Sequence, residues 1–246
     1  MCTDDCWRLR DLCKVFLFYF LMMMVGIPVL FNLIETLFGL DFAKLVGQNV
    51  AIISLSLVVN TLTCLYVFYI IRAGYNLPLR SVGLTIDNWK TDVWLGLKHY
   101  IVILPVIIFV SYAVNFISEL FGISPDNQEI ITKLLQEESV PVLVFMVFFG
   151  TLAAPIVEEI LFRGFLQPVI RPTVGKTKTI IISGGLFALV HLNAHVFFQI
   201  FILGLLLAYL FELTKSLIAP MTVHLLHNSI TFVFLLSYKQ FLKGHV

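Results

Sequence analysis

Long stretches without a charged side chain dominate the pattern of hydrophobic and polar positions. A helix that crosses the hydrocarbon core of a bilayer needs about 20 apolar residues. Stretches of that length follow one another from near the first residue to near the last. The pattern therefore predicts an all-α fold, a polytopic transmembrane helical bundle. The six stretches that lack Asp, Glu, Lys and Arg are 15–34, 45–71, 99–118, 139–157, 179–211 and 216–238.

The fifth stretch is too long to be a single span. As one helix, its 33 residues would measure roughly 50 Å, whereas the hydrocarbon core is about 30 Å thick. The polar residues His191, Asn193 and His195 mark the place where we expect the chain to fold back. This fold-back gives seven spans, and we predict seven to eight helices in a single membrane domain over residues 1–246.

Composition and charge support a membrane location. Hydrophobic residues make up 59% of the chain and charged residues only 13%, whereas a soluble domain carries about 25% charged residues. The net charge of +1 predicts no general attraction to nucleic acid. With the N-terminus in the cytoplasm, the inner segments hold twelve of the sixteen Lys and Arg residues and the outer segments hold four. The positive-inside rule thus predicts a multi-pass protein of the cell membrane with a cytoplasmic N-terminus.

One apolar helix carries three charged residues. The segment 153–167 reads AAPIVEEILFRGFLQ, although each charge at the centre of a span costs about 2.5–3.5 kcal/mol by insertion scales. Glu159 and Arg163 are four residues apart with the acid first, which favours an ion pair on one helix face. Glu158 points about 100° away from that face. It is therefore left free to act as a general base.

Each of two later spans carries a pair of residues at helical spacing, and at least one residue of each pair is polar. Phe187 and His191 are four residues apart, as are His224 and Asn228. At 1.5 Å per residue from the predicted cytoplasmic ends, Glu158 and His224 lie roughly 12 Å deep, and His191 and Asn228 roughly 18 Å deep. These depths are compatible with one chamber in the inner half of the membrane.

A purely structural role remains an alternative for all of these residues. Buried acids and an Arg can form an ion-pair knot, and His or Asn in a span can join helices by hydrogen bonds. We expect such a packing role for His99, His195 and His227. For the other positions, the joint occurrence at compatible depths favours chemistry.

Three motifs resemble those of a known family. EExxxR appears as Glu158 to Arg163, FxxxH as Phe187 to His191, and HxxxN as His224 to Asn228. Their order and spacing resemble the CAAX protease and bacteriocin-processing family of intramembrane endopeptidases, of the CAAX prenyl protease type II kind. The resemblance extends over roughly 80–235, which we take as the peptidase core.

The resemblance implies a membrane-embedded endopeptidase that hydrolyses a peptide bond near the cytoplasmic face. Its substrate would be a peptide or protein, which in the eukaryotic branch is prenylated. By the resemblance, a glutamate would activate the attacking water, one His would help to position it, and a His and an Asn would stabilise the oxyanion. The implied catalytic residues are Glu158, His191, His224 and Asn228, and the supporting residues are Glu159, Arg163 and Phe187.

Three alternatives stay open at this point. Glu158, His191 and His224 could bind zinc with one position free, but the chain has no HExxH motif, and we favour a glutamate mechanism that requires no cofactor. The chain could be a non-catalytic immunity or scaffold protein of the same family. It could also be an ion transporter, although no inverted repeat is apparent.

Overall fold

The computed structural model describes residues 7–39, 41, 44, 46–123 and 129–243. All regular structure in this part of the chain is helical, which confirms the predicted all-α bundle. A 3-10 turn, Leu79–Val82, precedes α3. The helices in chain order are α1 (Leu9–Phe38), α2 (Gln48–Gly74), α3 (Trp89–Leu120), α4 (Glu129–Gln136), α5 (Val140–Val174), α6 (Lys176–Leu189), α7 (Phe197–Thr214) and α8 (Ile218–Lys243).

Six of these helices are long and apolar enough to cross a membrane, namely α1, α2, α3, α5, α7 and α8. The seventh predicted span corresponds to α6, which has only 14 residues. Its length of roughly 21 Å is shorter than a hydrocarbon core of about 30 Å. The chain does fold back between Leu189 and Phe197, as the polar cluster predicts. The count of seven full spans is wrong, because the turn comes only 14 residues after the helix begins at Lys176.

Helix α7 lies at the centre of the C-terminal half and packs against α3, α6 and α8. Its closest neighbour is α6, where the two helices cross at Gly184 and Gly204. A Cβ atom added to Gly204 would lie 3.0 Å from the Cα of Gly184. Small residues allow such a close approach of two backbones in membranes.

Helix α5 is not a regular α-helix throughout. It contains wider π-helical turns at Phe149–Ala153 and Ile160–Leu166, and the second begins directly after Glu159. Wide turns of this kind often occur at functional sites. The N-terminal end of α1 is fixed on this turn, because the indole Nε1 of Trp7 donates to the carbonyl of Phe165 at 2.8 Å.

The short helix α4 covers the opposite end of the bundle. It extends over Glu129–Gln136. Leu134 is buried in a cluster with Ile53 and Met146. The ammonium group of Lys239 donates to the carbonyl of Leu134 at 2.9 Å, and so joins α8 to this cap.

Candidate active site

Glu159 lies at the centre of a buried polar network. Nη1 of Arg163 donates to its Oε1 atom at 3.0 Å, which is the predicted ion pair. Nδ1 of His224 lies 2.8 Å from the same oxygen. Because an ionised carboxylate has only acceptors, Nδ1 of His224 carries a proton and donates it. Glu159 thus orients both a cation and an imidazole.

Arg163 fastens this network to α7. Its Nη2 atom donates to the backbone carbonyl of Gly204 at 3.1 Å, and its guanidinium lies 4.5 Å from the ring centroid of Phe187. A guanidinium over an aromatic face is a favourable cation–π arrangement. The side chain is fully buried, so hydrogen bonds and ring contacts replace water around its charge.

Glu158 stands in a different environment from its neighbour. Its side chain is 31% exposed, whereas that of Glu159 is 0% exposed. Oε2 of Glu158 lies 3.7 Å from Nε2 of His224, which is longer than a direct hydrogen bond. His224 therefore stands between the two glutamates and presents one ring nitrogen to each.

The Phe187 ring connects the two histidines. Its centroid lies 5.0 Å from that of His191 and 5.5 Å from that of His224, with both imidazoles steeply inclined to it. Nδ1 of His191 lies 2.7 Å from the Phe187 carbonyl, which can only accept. Nδ1 of His191 is thus the donor of this contact, and Nε2 is the acceptor when the ring is neutral. Among the described residues, no hydrogen bond joins His191 to Glu158 or His224.

Asn228 is held at the first wide turn of α5. Its Nδ2 atom donates to the carbonyl of Gly150 at 2.8 Å. The glycine leaves room for the Phe232 ring, which would have to move if a Cβ atom were added, since that atom would lie 2.5 Å from it. One N–H of the amide is used in this contact, and the second remains available for another acceptor.

The zinc alternative concerns Glu158, His191 and His224. Within the ranges that the structure describes, no three His, Cys, Asp or Glu side chains are grouped in a way that could hold a metal ion. Nδ1 of His224 faces Glu159, and Nδ1 of His191 faces a carbonyl. In both rings Nε2 is therefore the nitrogen without a direct hydrogen bond to the protein, and the metal alternative stays a prediction.

The polar network continues along α5 beyond the residues that the sequence motifs indicate. Gln167 donates to the Ala208 carbonyl at 3.0 Å and to Glu212 at 3.2 Å, and Arg171 donates to Glu212 at 3.3 Å. With Glu159 and Arg163, these side chains form a stripe at every fourth residue, which we call the α5 polar stripe. The four-residue spacing is visible in the sequence. The partners are not, because the acceptors on α7 are mostly backbone carbonyls.

Each of the remaining histidines in the spans and turns has a hydrogen-bond partner. Nδ1 of His99 lies 2.8 Å from the Leu95 carbonyl, and Nε2 of His195 lies 2.7 Å from Oδ1 of Asn115. Nδ1 of His227 lies 3.1 Å from the hydroxyl of Tyr100. These contacts agree with the packing role predicted for these three histidines.

Comparison with known proteins identifies the segment that carries the site. The family model of the type II CAAX prenyl endopeptidases, described as Rce1-like, matches residues 140–230. This segment begins at α5, ends within α8 and holds every candidate site residue. The resemblance drawn from the three motifs is thereby confirmed. No curated protein and no solved structure matches the chain.

Proposed function

Since residues 140–230 match a family of membrane proteases, we propose that this multi-pass membrane protein is an endopeptidase in which Glu158 activates water. The observation that carries the proposal is the difference between the two adjacent glutamates. Glu159 is fully buried and bound by Arg163 and His224. Glu158 is partly exposed and faces the free nitrogen of the same histidine. Such a carboxylate is available to take up a proton.

The attacking water lies between Glu158 and His224. Two atoms 3.7 Å apart can share one water that lies about 2.8 Å from each. The water donates to Oε2 of Glu158 and at first accepts from the Nε2–H of a protonated His224, and this N–H turns to the carbonyl oxygen as negative charge develops there. Glu158 removes the proton while the water oxygen bonds to the scissile carbonyl carbon. The same proton then passes to the amine nitrogen as the C–N bond breaks.

The developing oxyanion is stabilised by two donors on α8. The imidazolium of His224 is flanked by two carboxylates, which stabilise its charge. The second N–H of Asn228 is the other donor, since the first is bound to Gly150. Donors that are fixed before the reaction stabilise such a charge most in a water-poor site. His191 positions the water or the substrate through its Nε2 atom.

The substrate is a peptide or protein that reaches the site from the cytoplasmic side. The excess of Lys and Arg in the loops on one side favours a cytoplasmic N-terminus. In this orientation, the peptide bond is hydrolysed near the cytoplasmic face. A prenylated C-terminal segment is one candidate, since the matched family is described as prenyl endopeptidases. Every step uses side chains of this chain, so no cofactor is required.

A peptidomic comparison tests the proposed reaction. Membranes containing the wild-type protein, the Glu158→Gln variant or the Glu119→Gln control are incubated, and the released peptides are identified. Glu119 is an exposed carboxylate on α3, outside the site. We expect a set of peptides that share one type of cleaved bond with the wild type and the control, and not with Glu158→Gln. Identical peptides from all three proteins at equal expression would refute the proposal and favour a non-catalytic scaffold.

A further inference from the structure

A cavity separate from the candidate active site lies at the end of the bundle where α3 begins and where α5 and α7 end. It has a volume of about 520 Å³, which is within the range of about 300–1,000 Å³ for small-molecule sites. Its walls include Ser81, Asp92, Arg171 and Lys215. None of the candidate catalytic residues lines it. We call it the Asp92 cavity.

The sequence around Asp92 indicates that the cavity lies at the level of the lipid headgroups. Asp92 is seven residues before His99, where the charge-free part of α3 begins, and is therefore roughly 10 Å outside the apolar segment. Two tryptophans project from the same end of α3, since Trp89 is 51% and Trp94 65% exposed. Exposed tryptophans are typical of the interface between membrane and water. The cavity is thus within reach of a lipid headgroup.

Asp92 is a buried carboxylate without a partner. Its residue is only 5% exposed and it lines the cavity. Within the described part of the chain, its side chain has no hydrogen bond or ion pair. The nearby hydroxyl of Ser81 is also buried without a partner. Burying a charge is unfavourable unless it is paired, so these groups indicate a ligand with a positively charged donor.

The lining of the cavity has a surplus of positive charge. Arg171 and Lys215 both line it, and both bind the carboxylate of Glu212, at 3.3 and 2.5 Å. Two cations therefore share one acid. The third cation on the wall, Arg80, has its own acid in Asp87. Arg171 and Lys215 can accommodate a phosphate without losing Glu212.

We propose that the Asp92 cavity binds the zwitterionic headgroup of phosphatidylethanolamine. The primary ammonium group donates to Asp92 and Ser81, and the phosphate lies against Arg171 and Lys215. A choline headgroup has no N–H to donate, and an anionic glycerol headgroup would leave Asp92 unpaired. This inference goes beyond the proposed peptidase activity and does not depend on it.

Native mass spectrometry of the full-length protein with defined lipids tests the site. The probes are phosphatidylethanolamine, its N-methyl and N,N-dimethyl derivatives, phosphatidylcholine and phosphatidylglycerol. We expect one tightly retained phosphatidylethanolamine, with affinity at least about tenfold above that for phosphatidylcholine, because a charge-assisted hydrogen bond is lost. Successive methylation should weaken binding in steps.

Two variants separate the site from general lipid contact. Asp92→Asn removes the charge from the cavity and should abolish the preference for phosphatidylethanolamine. Glu119→Gln removes a charge from the other end of the same helix and should keep that preference. Equal retention of phosphatidylethanolamine and phosphatidylcholine by the wild type would overturn the proposal. So would a preference that survives in Asp92→Asn or is lost in Glu119→Gln. Should Asp92→Asn fail to fold, the methylation series on the wild type still decides the question.

Discussion

Helix α5 has two faces with different roles, and the adjacent residues Glu158 and Glu159 lie on different ones. One face carries the α5 polar stripe, whose side chains point into the interface with α7 and bind its carbonyls and Glu212. The other face carries Glu158, which is partly exposed and makes no close contact within hydrogen-bond distance in the described residues. A rotation of about 100° per residue separates the two.

A membrane helix can hold several charges when most of them have partners on a neighbouring helix. On the stripe, each side chain has at least one fixed partner, so the charges contribute to packing rather than to chemistry. Beside it, a single carboxylate is left unpaired where it can exchange a proton. His224 joins the two faces, because Glu159 fixes one of its nitrogens and thereby aims the other at Glu158.

The largest effect on stability should come from breaking the stripe at its first ion pair. Arg163→Met leaves the carboxylate of Glu159 buried without its cation, and the free energy of unfolding should fall by about 3–5 kcal/mol. Denaturant titration in mixed micelles measures this loss. The double variant Glu159→Gln/Arg163→Met should recover a large part of it. If the single variant is as stable as the wild type, the stripe does not hold the helices together.

A substitution on the open side should affect turnover far more than stability. Asn228→Ala removes one oxyanion donor, for which a loss of about 100- to 1,000-fold in kcat is typical. Its bond to Gly150 contributes only about 1 kcal/mol to folding. Turnover and unfolding measured on the same preparation separate the two effects. Unchanged kcat would remove Asn228 from the proposed oxyanion site.

A smaller effect is expected from the crossing of α6 and α7. A Cβ atom at Gly204 would lie 3.0 Å from the Gly184 backbone, so Gly204→Ala should destabilise the protein by about 1–3 kcal/mol through overpacking. Its matched control is Gly185→Ala, where the nearest atom lies 3.8 Å away, and where unfolding should be nearly unchanged. Equal effects of the two substitutions would contradict a close α6–α7 contact.

Much of this arrangement could be predicted from the sequence, because helical spacing is local. The Glu159–Arg163 pair, the separate direction of Glu158 and the fold-back near His191 all follow from positions a few residues apart. The length of α6 did not follow, since an apolar stretch does not show where its turn will fall.

Contacts between distant segments could not be predicted. The carbonyls of Gly204 and Gly150 are acceptors in the site. The sequence does not show which backbone carbonyls will accept a side-chain hydrogen bond. The bond from His224 to Glu159 joins residues 65 positions apart and depends on how α5 and α8 pack. The unpaired Asp92 was equally hidden, because its position at the start of α3 is typical of a helix N-terminus.

Turnover by purified, reconstituted Glu158→Gln protein tests the central claim most directly, with unfolding measured on the same sample. The account predicts a loss of cleavage of about 100-fold or more, since a general base contributes about 10²–10⁴-fold to rate. The free energy of unfolding should change by less than about 0.5 kcal/mol, as for other substitutions away from buried networks. Cleavage close to the wild-type rate, or a loss of cleavage that comes only with loss of the fold, would contradict the assignment of Glu158 as the base.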